Sequence, residues 1–239
     1  MKKNFVHINS MEYLRHLLSK KIVDLSIEDA VGVSMERAQK NSLMVCLQRK
    51  QGSGKSTGIA SYVIGRPYCY YIKIGPSYAI GNILDEMIFL ISGETATSHS
   101  SNWAKVKQIS KLLTDTADKK LYVVDDCTHL SFRQLSHFQE LRDNTQLTTS
   151  FVFVAPPTFR QRLEKALSKG IAGAGEVHRR FQAWIDLPGL TKTDRTKYCN
   201  EKGLTDDELK TVSNSTATTV AELEILVDQI LETRNFKKK

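Results

Sequence analysis

The sequence predicts an α/β fold: a parallel β-sheet sandwiched by helices, followed by a small C-terminal helical lid. Three observations predict it. Short apolar runs alternate with helical stripes as far as Ala155. Continuous apolar strands of this kind are buried on both faces, as in parallel sheets. A glycine-rich loop directly follows the first run. From about Thr191 onward there is no clear strand, only helix-capping patterns.

The elements follow in order. MKKNFVHINSMEYL carries two lysines with no apolar stretch behind them, so no signal peptide is expected, and residues 1–26 read as an N-terminal helical extension. LMVCL (43–47), YCYYIKI (68–74), LYVVDD (121–126) and SFVFVA (150–155) read as strands. Between them, Ile80, Ile83, Leu84, Met87, Ile88 and Ile91 form one apolar stripe, and Trp103, Val106, Ile109 and Leu113 form another. Ser131 with Gln134, and Thr158 with Gln161 after Pro156-Pro157, read as capping boxes. Strands alternating with helices require crossovers, hence a doubly wound domain over residues 1–190. LPGL (187–190) reads as a hinge to the lid, residues 191–239. There, capping boxes at Thr205/Glu208 and Thr219/Glu222 open helices, the second presenting Leu223, Leu226, Val227, Ile230 and Leu231 on one face. A basic RNFKKK tail is expected to fray.

Composition narrows the class. Apolar residues make up 41% of the 239, enough for a packed core. No apolar run approaches the roughly 20 residues of a spanning helix. Cys46, Cys69, Cys127 and Cys199 stand far apart, so neither a disulfide framework nor a zinc knuckle is indicated, and a reduced cytoplasmic protein is expected. The six histidines show no ligand-like spacing. A formal charge of +8 favours polyanionic partners.

LQRKQGSGKST (47–57) carries the chemistry. It ends as a phosphate-binding loop ends, although Arg49 stands where the pattern G-x-x-x-x-G-K-[ST] has its first glycine. Glycines let backbone N–H groups converge on phosphate oxygens, and the next helix points its N-terminus at the same charge. Gln51, Gly52, Ser53, Gly54, Lys55, Ser56 and Thr57 are therefore the expected nucleotide contacts. Lys55 is expected at the β- and γ-phosphates, with Ser56 on Mg²⁺. LYVVDD supplies the complementary strand-end acid: Asp125 for the Mg²⁺ shell, and Asp126 where many ATPases place a water-orienting Glu. Asp is one methylene shorter, so slow hydrolysis of ATP is expected.

This order of parts resembles the AAA+ ATPases, and within them the transposition ATPases of the phage Mu B / TnsC / TniB family. The resemblance runs from about Ile27 to Leu190, and more weakly to the end of the chain. Its pieces are GSGKST, VVDDCTHL, LRDNTQLTTSFVFVAPPTFRQRL and VHRRFQAWIDLPGLT. The last is similar to that group's arginine-bearing segment, short strand and Leu-Pro exit. The resemblance implies that Arg179 or Arg180 is an arginine finger reaching a neighbouring subunit's site, so a self-assembled filament or ring is expected. It implies ATP-dependent, sequence-neutral binding of double-stranded DNA, recruitment of a transposase, and a bacterial, phage or mobile-element context. By analogy Lys73, Lys105 and Lys107 are candidate DNA contacts. Residues 102–120 carry five lysines against Asp115 and Asp118, and residues 158–182 carry six Arg/Lys against two Glu. Two departures stand out: Ala155-Pro156-Pro157 fills the first sensor position, and STATTVAELE has no lid arginine. A helicase-loader or initiator-like AAA+ protein would share the same site. A P-loop small-molecule kinase is the alternative from another class.

Overall fold

The strands β1 (Met44–Gln48), β2 (Cys69–Lys73), β3 (Lys120–Asp125), β4 (Thr149–Ala155) and β5 (Ala183–Asp186) form one parallel sheet in the order β2-β3-β4-β1-β5. The computed structural model describes residues 7–95 and 100–236. The first four strands lie within one residue of the runs read from the sequence. The fifth is the short edge strand that the resemblance implies, and its half-exposed residues explain why it shows no continuous apolar run.

Strand alternation divides the core into two layers. Met44 and Cys46 of β1, Tyr122 and Val124 of β3, and Phe151 and Phe153 of β4 face one side. Val45 and Leu47, Leu121 and Val123, and Val152 and Val154 face the other. All twelve are buried, as a two-sided parallel sheet requires. The first layer is covered by α4 (Ile80–Ser92), α5 (Asn102–Thr114), α6 (Phe132–Asn144), α7 (Thr158–Ser168) and α8 (Ala174–Arg180). The second is covered by α1 (His7–Ser19), α2 (Ser26–Asn41) and α3 (Lys55–Val63). A buried side chain of Leu or Phe size contributes about 1.5–3 kcal/mol, so these layers dominate stability.

Helix α1 is part of this core, because its Leu14 is fully buried against the second layer. Helices α2 and α3 approach closely through Gly58, where an added Cβ would meet the Glu28 Cα at 3.1 Å. The α4 stripe buries Ile83, Leu84, Met87 and Ile88 as its spacing predicts. The α5 stripe needs correction: Val106, Ile109 and Leu113 are buried, but Trp103 is 63% exposed. Trp103 lies in the first turn, which Ser101 caps, and its ring meets the Lys107 ammonium at 5.0 Å instead of the sheet.

The Ser131/Gln134 capping box opens α6 as expected. The expected Thr158/Gln161 box does not form. Pro157 already has helical dihedrals (φ −56°, ψ −24°), so Thr158 falls inside the helix, and no side chain caps it.

The C-terminal helices α9 (Lys192–Glu201), α10 (Asp206–Ser213) and α11 (Val220–Phe236) enclose a cluster of Tyr198, Cys199, Val212, Leu223 and Val227. Leu226, Ile230 and Leu231 pack against it. Both expected capping boxes are present: Thr205 caps α10, and Thr219 and Glu222 exchange bonds before α11. A third, Thr191/Asp194, starts α9. The same Asp194 carboxylate accepts from the Ser26 amide (2.8 Å) and hydroxyl (2.6 Å), tying α9 to the start of α2. The last three lysines of the basic tail lie outside the described residues. Among the described residues no helix is long and apolar enough to cross a membrane.

Candidate nucleotide site

The site forms where β1 hands over to α3 at the carboxyl edge of the sheet, the usual place for ligands in open α/β sheets. Gly52 (φ 72°) and Gly54 (φ 89°) adopt left-handed conformations that a side chain would strain. Gly52 is further constrained by the lid. An added Cβ would meet the Ala221 Cβ at 2.9 Å, and the Ala221 amide donates to the Gly52 carbonyl at 2.9 Å. The start of α11 thus rests directly on the glycine loop.

Lys55 is the first residue of α3, and it is buried. Its ammonium donates to the carbonyls of Arg49 and Lys50, both at 2.9 Å. Burial lowers its pKa below the ordinary lysine value, and the nearby Asp125 and Asp126 carboxylates oppose that shift.

The Ser56 hydroxyl donates to Asp125 Oδ2 at 2.9 Å. This joins the loop to the end of β3, two strands away across β4. Tyr71 of β2 donates to the same oxygen at 2.9 Å, and the Asp126 amide donates to Asp125 Oδ1 at 2.9 Å. Burial raises the Asp125 pKa and the Asp126 charge adds to the rise, while these three donors act in the opposite direction.

Asp126 takes a left-handed conformation (φ 55°), which turns the chain into a 3-10 turn, Cys127–His129. Arg162 of α7 secures that turn by donating to the Thr128 and Leu130 carbonyls at 2.6 and 2.7 Å. Lys73, at the end of β2, forms an ion pair with Asp126 at 3.4 Å.

A cavity of about 330 Å³ lies over the loop. Its lining includes Gly52, Ser53, Gly54, Lys55, Ser56 and Thr57, together with Ile22, Val23 and Leu25 before α2 and Tyr198, Val220, Ala221 and Glu224 from the lid. A second cavity of about 300 Å³ is bounded by Tyr13, Lys73, Asp126 and His129, among others.

The residues fit a nucleotide with Mg²⁺. Ser56 and Asp125 present hard oxygen donors side by side, and Mg²⁺ is commonly held by one or two carboxylates together with substrate phosphates. No cluster of three or more His, Cys, Asp or Glu suited to a metal occurs among the described residues, so phosphate oxygens and water would complete the shell.

The structure brings residues 52–57, Asp125 and Asp126 to one end of the sheet. Gln51 is exposed beside them and does not line the cavity over the loop. Arg179 and Arg180 lie at the end of α8 and are not among the cavity's lining residues. Arg180 forms a two-pronged pair with Asp143, and Arg179 is exposed.

The three expected DNA contacts have different surroundings. Lys107 is exposed and Lys73 is half-buried on Asp126. Lys105 is buried and paired with Asp85 at 2.7 Å. Lys119 and Lys120 are likewise engaged, by the Leu147 carbonyl (2.6 Å) and by Asp115 (3.3 Å). The five-lysine segment therefore presents less free charge than its composition implies.

Arg49 lies across the LPGL turn, where an added Cβ on Gly189 would clash with its guanidinium Nη2. Sequence reasoning missed Tyr71, Arg162, Tyr198 and Glu224 as parts of the site. The signal available for the lid pair was their place on helices that follow the LPGL turn.

No protein-family model matches the chain, and no curated protein sequence matches it. Solved structures do. The Aeropyrum pernix ORC1 protein in complex with DNA aligns over 92% of this chain and 64% of its own, with a TM-score of 0.60 and 11% identity. The Aeropyrum pernix ORC2 protein, in its ADPNP-ADP complexes, aligns over 85% and 60%, with a TM-score of 0.59 and 12% identity. Thermotoga maritima RuvB T158V aligns over 89% and 63%, with a TM-score of 0.51 and 13% identity. The chain thus spans less than two thirds of each of these proteins. What it shares with them is the fold described above.

Proposed function

We propose that this chain is an AAA+ ATPase that binds DNA under the control of a nucleotide held at residues 51–57. The observation that carries the reading is the Ser56–Asp125 hydrogen bond. It joins a glycine loop with a buried lysine to a buried strand-end carboxylate, the two halves of a phosphate and Mg²⁺ site.

In this reading Lys55 and the loop amides bind the β- and γ-phosphates. Ser56 and Asp125 hold Mg²⁺, which supplies neutralising charge on the triphosphate when bound. Asp126 orients the attacking water. Its short side chain, the Ala155-Pro156-Pro157 sensor position and the arginine-free STATTVAELE segment of the lid favour slow turnover. Arg179 or Arg180 completes the site of a neighbouring subunit, and self-assembly on DNA follows.

The A. pernix ORC1 structure is a complex with DNA, and the ORC2 structure carries nucleotide. Both support an initiator- or loader-like role over a specifically transpositional one. Target selection for a transposase rests on the four sequence segments alone and uses the same site. The kinase alternative calls for arginines over the phosphates, whereas the lid lines the cavity with Tyr198, Val220, Ala221 and Glu224.

The test is calorimetric binding of ATP-Mg²⁺ by the full chain and by Lys55→Ala. Loss of a charge-assisted contact is expected to weaken binding at least about tenfold. Equal affinity in the two proteins would contradict the assignment.

A further inference from the structure

Tyr198 of α9 lines the cavity that contains the glycine loop. It is 3% exposed, yet its hydroxyl has no hydrogen-bond partner among the described residues. A buried tyrosine hydroxyl usually finds a partner, and leaving one unsatisfied costs about 1–3 kcal/mol. The surroundings do not supply one. The Lys202 ammonium sits 5.8 Å above the ring, and Glu224 and Asp228 act on the phenol without bonding to it. Burial first, then those two carboxylates, keep the phenol protonated and therefore able to donate.

The rest of the cavity is divided by chemistry. Gly52, Gly54 and Lys55 form the anion-binding end. Ile22, Val23 and Leu25 supply apolar surface of the sort that covers a planar base. Ile22 and Val23 also pack against the lid cluster that contains Tyr198, so the phenol belongs to the apolar end.

We infer that the Tyr198 hydroxyl donates a hydrogen bond to the nucleoside part of a bound nucleoside triphosphate and is the lid's specificity-determining contact. The inference rests on the nucleotide-site reading above. It gives the lid a direct stake in occupancy. Ligand binding satisfies a buried polar atom on α9, while α11 rests on the glycine loop through Ala221 and Gly52.

The test compares the full chain with Tyr198→Phe, a substitution that removes only the hydroxyl. Calorimetry measures binding of ATP and of inorganic tripolyphosphate, each with Mg²⁺, and a thermal melt is recorded without ligand. Tyr198→Phe is expected to weaken ATP about three- to tenfold. Tripolyphosphate affinity should stay within about twofold, because the contact is to the nucleoside. The melting temperature without ligand should be unchanged or higher, since an unsatisfied buried group has been removed. With 2′-deoxy-ATP, loss of the effect supports a sugar contact, and its persistence supports a base contact. ATP binding unaltered by the substitution would overturn the inference, as would an equal loss for tripolyphosphate. If the unmodified chain bound neither ligand, the nucleotide-site reading itself would fail.

Discussion

The Lys73 ammonium stands 3.4 Å from the Asp126 carboxylate and 4.1 Å from the centroid of the Tyr13 ring. Parallel pairing of β2 with β3 sets Lys73 beside Asp125, so the ends of these strands bring the cation to the second acid. Burial alone would lower the Lys73 pKa, but Tyr13 and the two aspartates raise it overall, so it stays charged. The residue proposed to meet DNA is therefore the residue that holds the proposed water-orienting carboxylate. A DNA phosphate that draws Lys73 away would free Asp126.

Replacing Lys73 with Met should accordingly raise DNA-independent ATP hydrolysis by about three- to tenfold, a modest share of a general-base effect. It should also remove any stimulation by DNA. Phosphate release measured with and without duplex DNA checks both. An unchanged basal rate with stimulation intact would contradict the coupling.

Lys107 and Lys105 make a paired test of the DNA face. Each phosphate neutralised on duplex DNA contributes about −0.9 to the slope of log K against log salt. Lys107→Ala should flatten that slope by about this amount per bound subunit. Lys105→Ala should leave the slope unchanged, because its ammonium is already paired with Asp85. Fluorescence-anisotropy titrations at several salt concentrations distinguish the two. Trp103 beside Lys107 offers a native reporter, expected to quench on binding.

Glu86 predicts a pH dependence of stability. It is fully buried on α4, where Ser10 donates to one oxygen at 3.0 Å and the other has no partner among the described residues. Burial lifts its pKa to about 7 from an ordinary 4.5. Between those values the folded chain keeps a proton that the unfolded chain has lost. Stability therefore falls as pH rises from 4.5 to about 7 and levels off above. The shift corresponds to about 3 kcal/mol. Denaturant unfolding at pH 5 and pH 8 should show this loss, and Glu86→Gln should remove most of it. An identical pH gap in the variant would contradict the assignment.

The layered core was legible because strands buried on both faces must be continuously apolar, as LYVVDD and SFVFVA are. The edge strand at Ala183–Asp186 lacks that constraint and could be placed only by resemblance. Trp103 had the spacing of a core residue, but spacing does not reveal where the first turn leaves the sheet. Thr158 had the spacing of a cap, and the helical dihedrals of Pro157 displaced it. Gly54, Lys55, Ser56 and Asp125 could be read because their chemistry is local to two motifs. Tyr71 on Asp125, Arg162 on the Thr128 and Leu130 carbonyls, and Asp194 on Ser26 could not. Those contacts join residues between 32 and 168 positions apart, and only the folded topology brings them together.

The central claim is that nucleotide controls DNA binding. Binding of random-sequence duplex DNA at low salt, with and without ATP-Mg²⁺, tests it most directly, with Lys55→Ala run in parallel and complexes imaged by negative-stain microscopy. ATP-dependent assemblies on DNA that the variant fails to form are the expected result. ATP bound by discrete monomers, with no DNA binding under any condition, would contradict it.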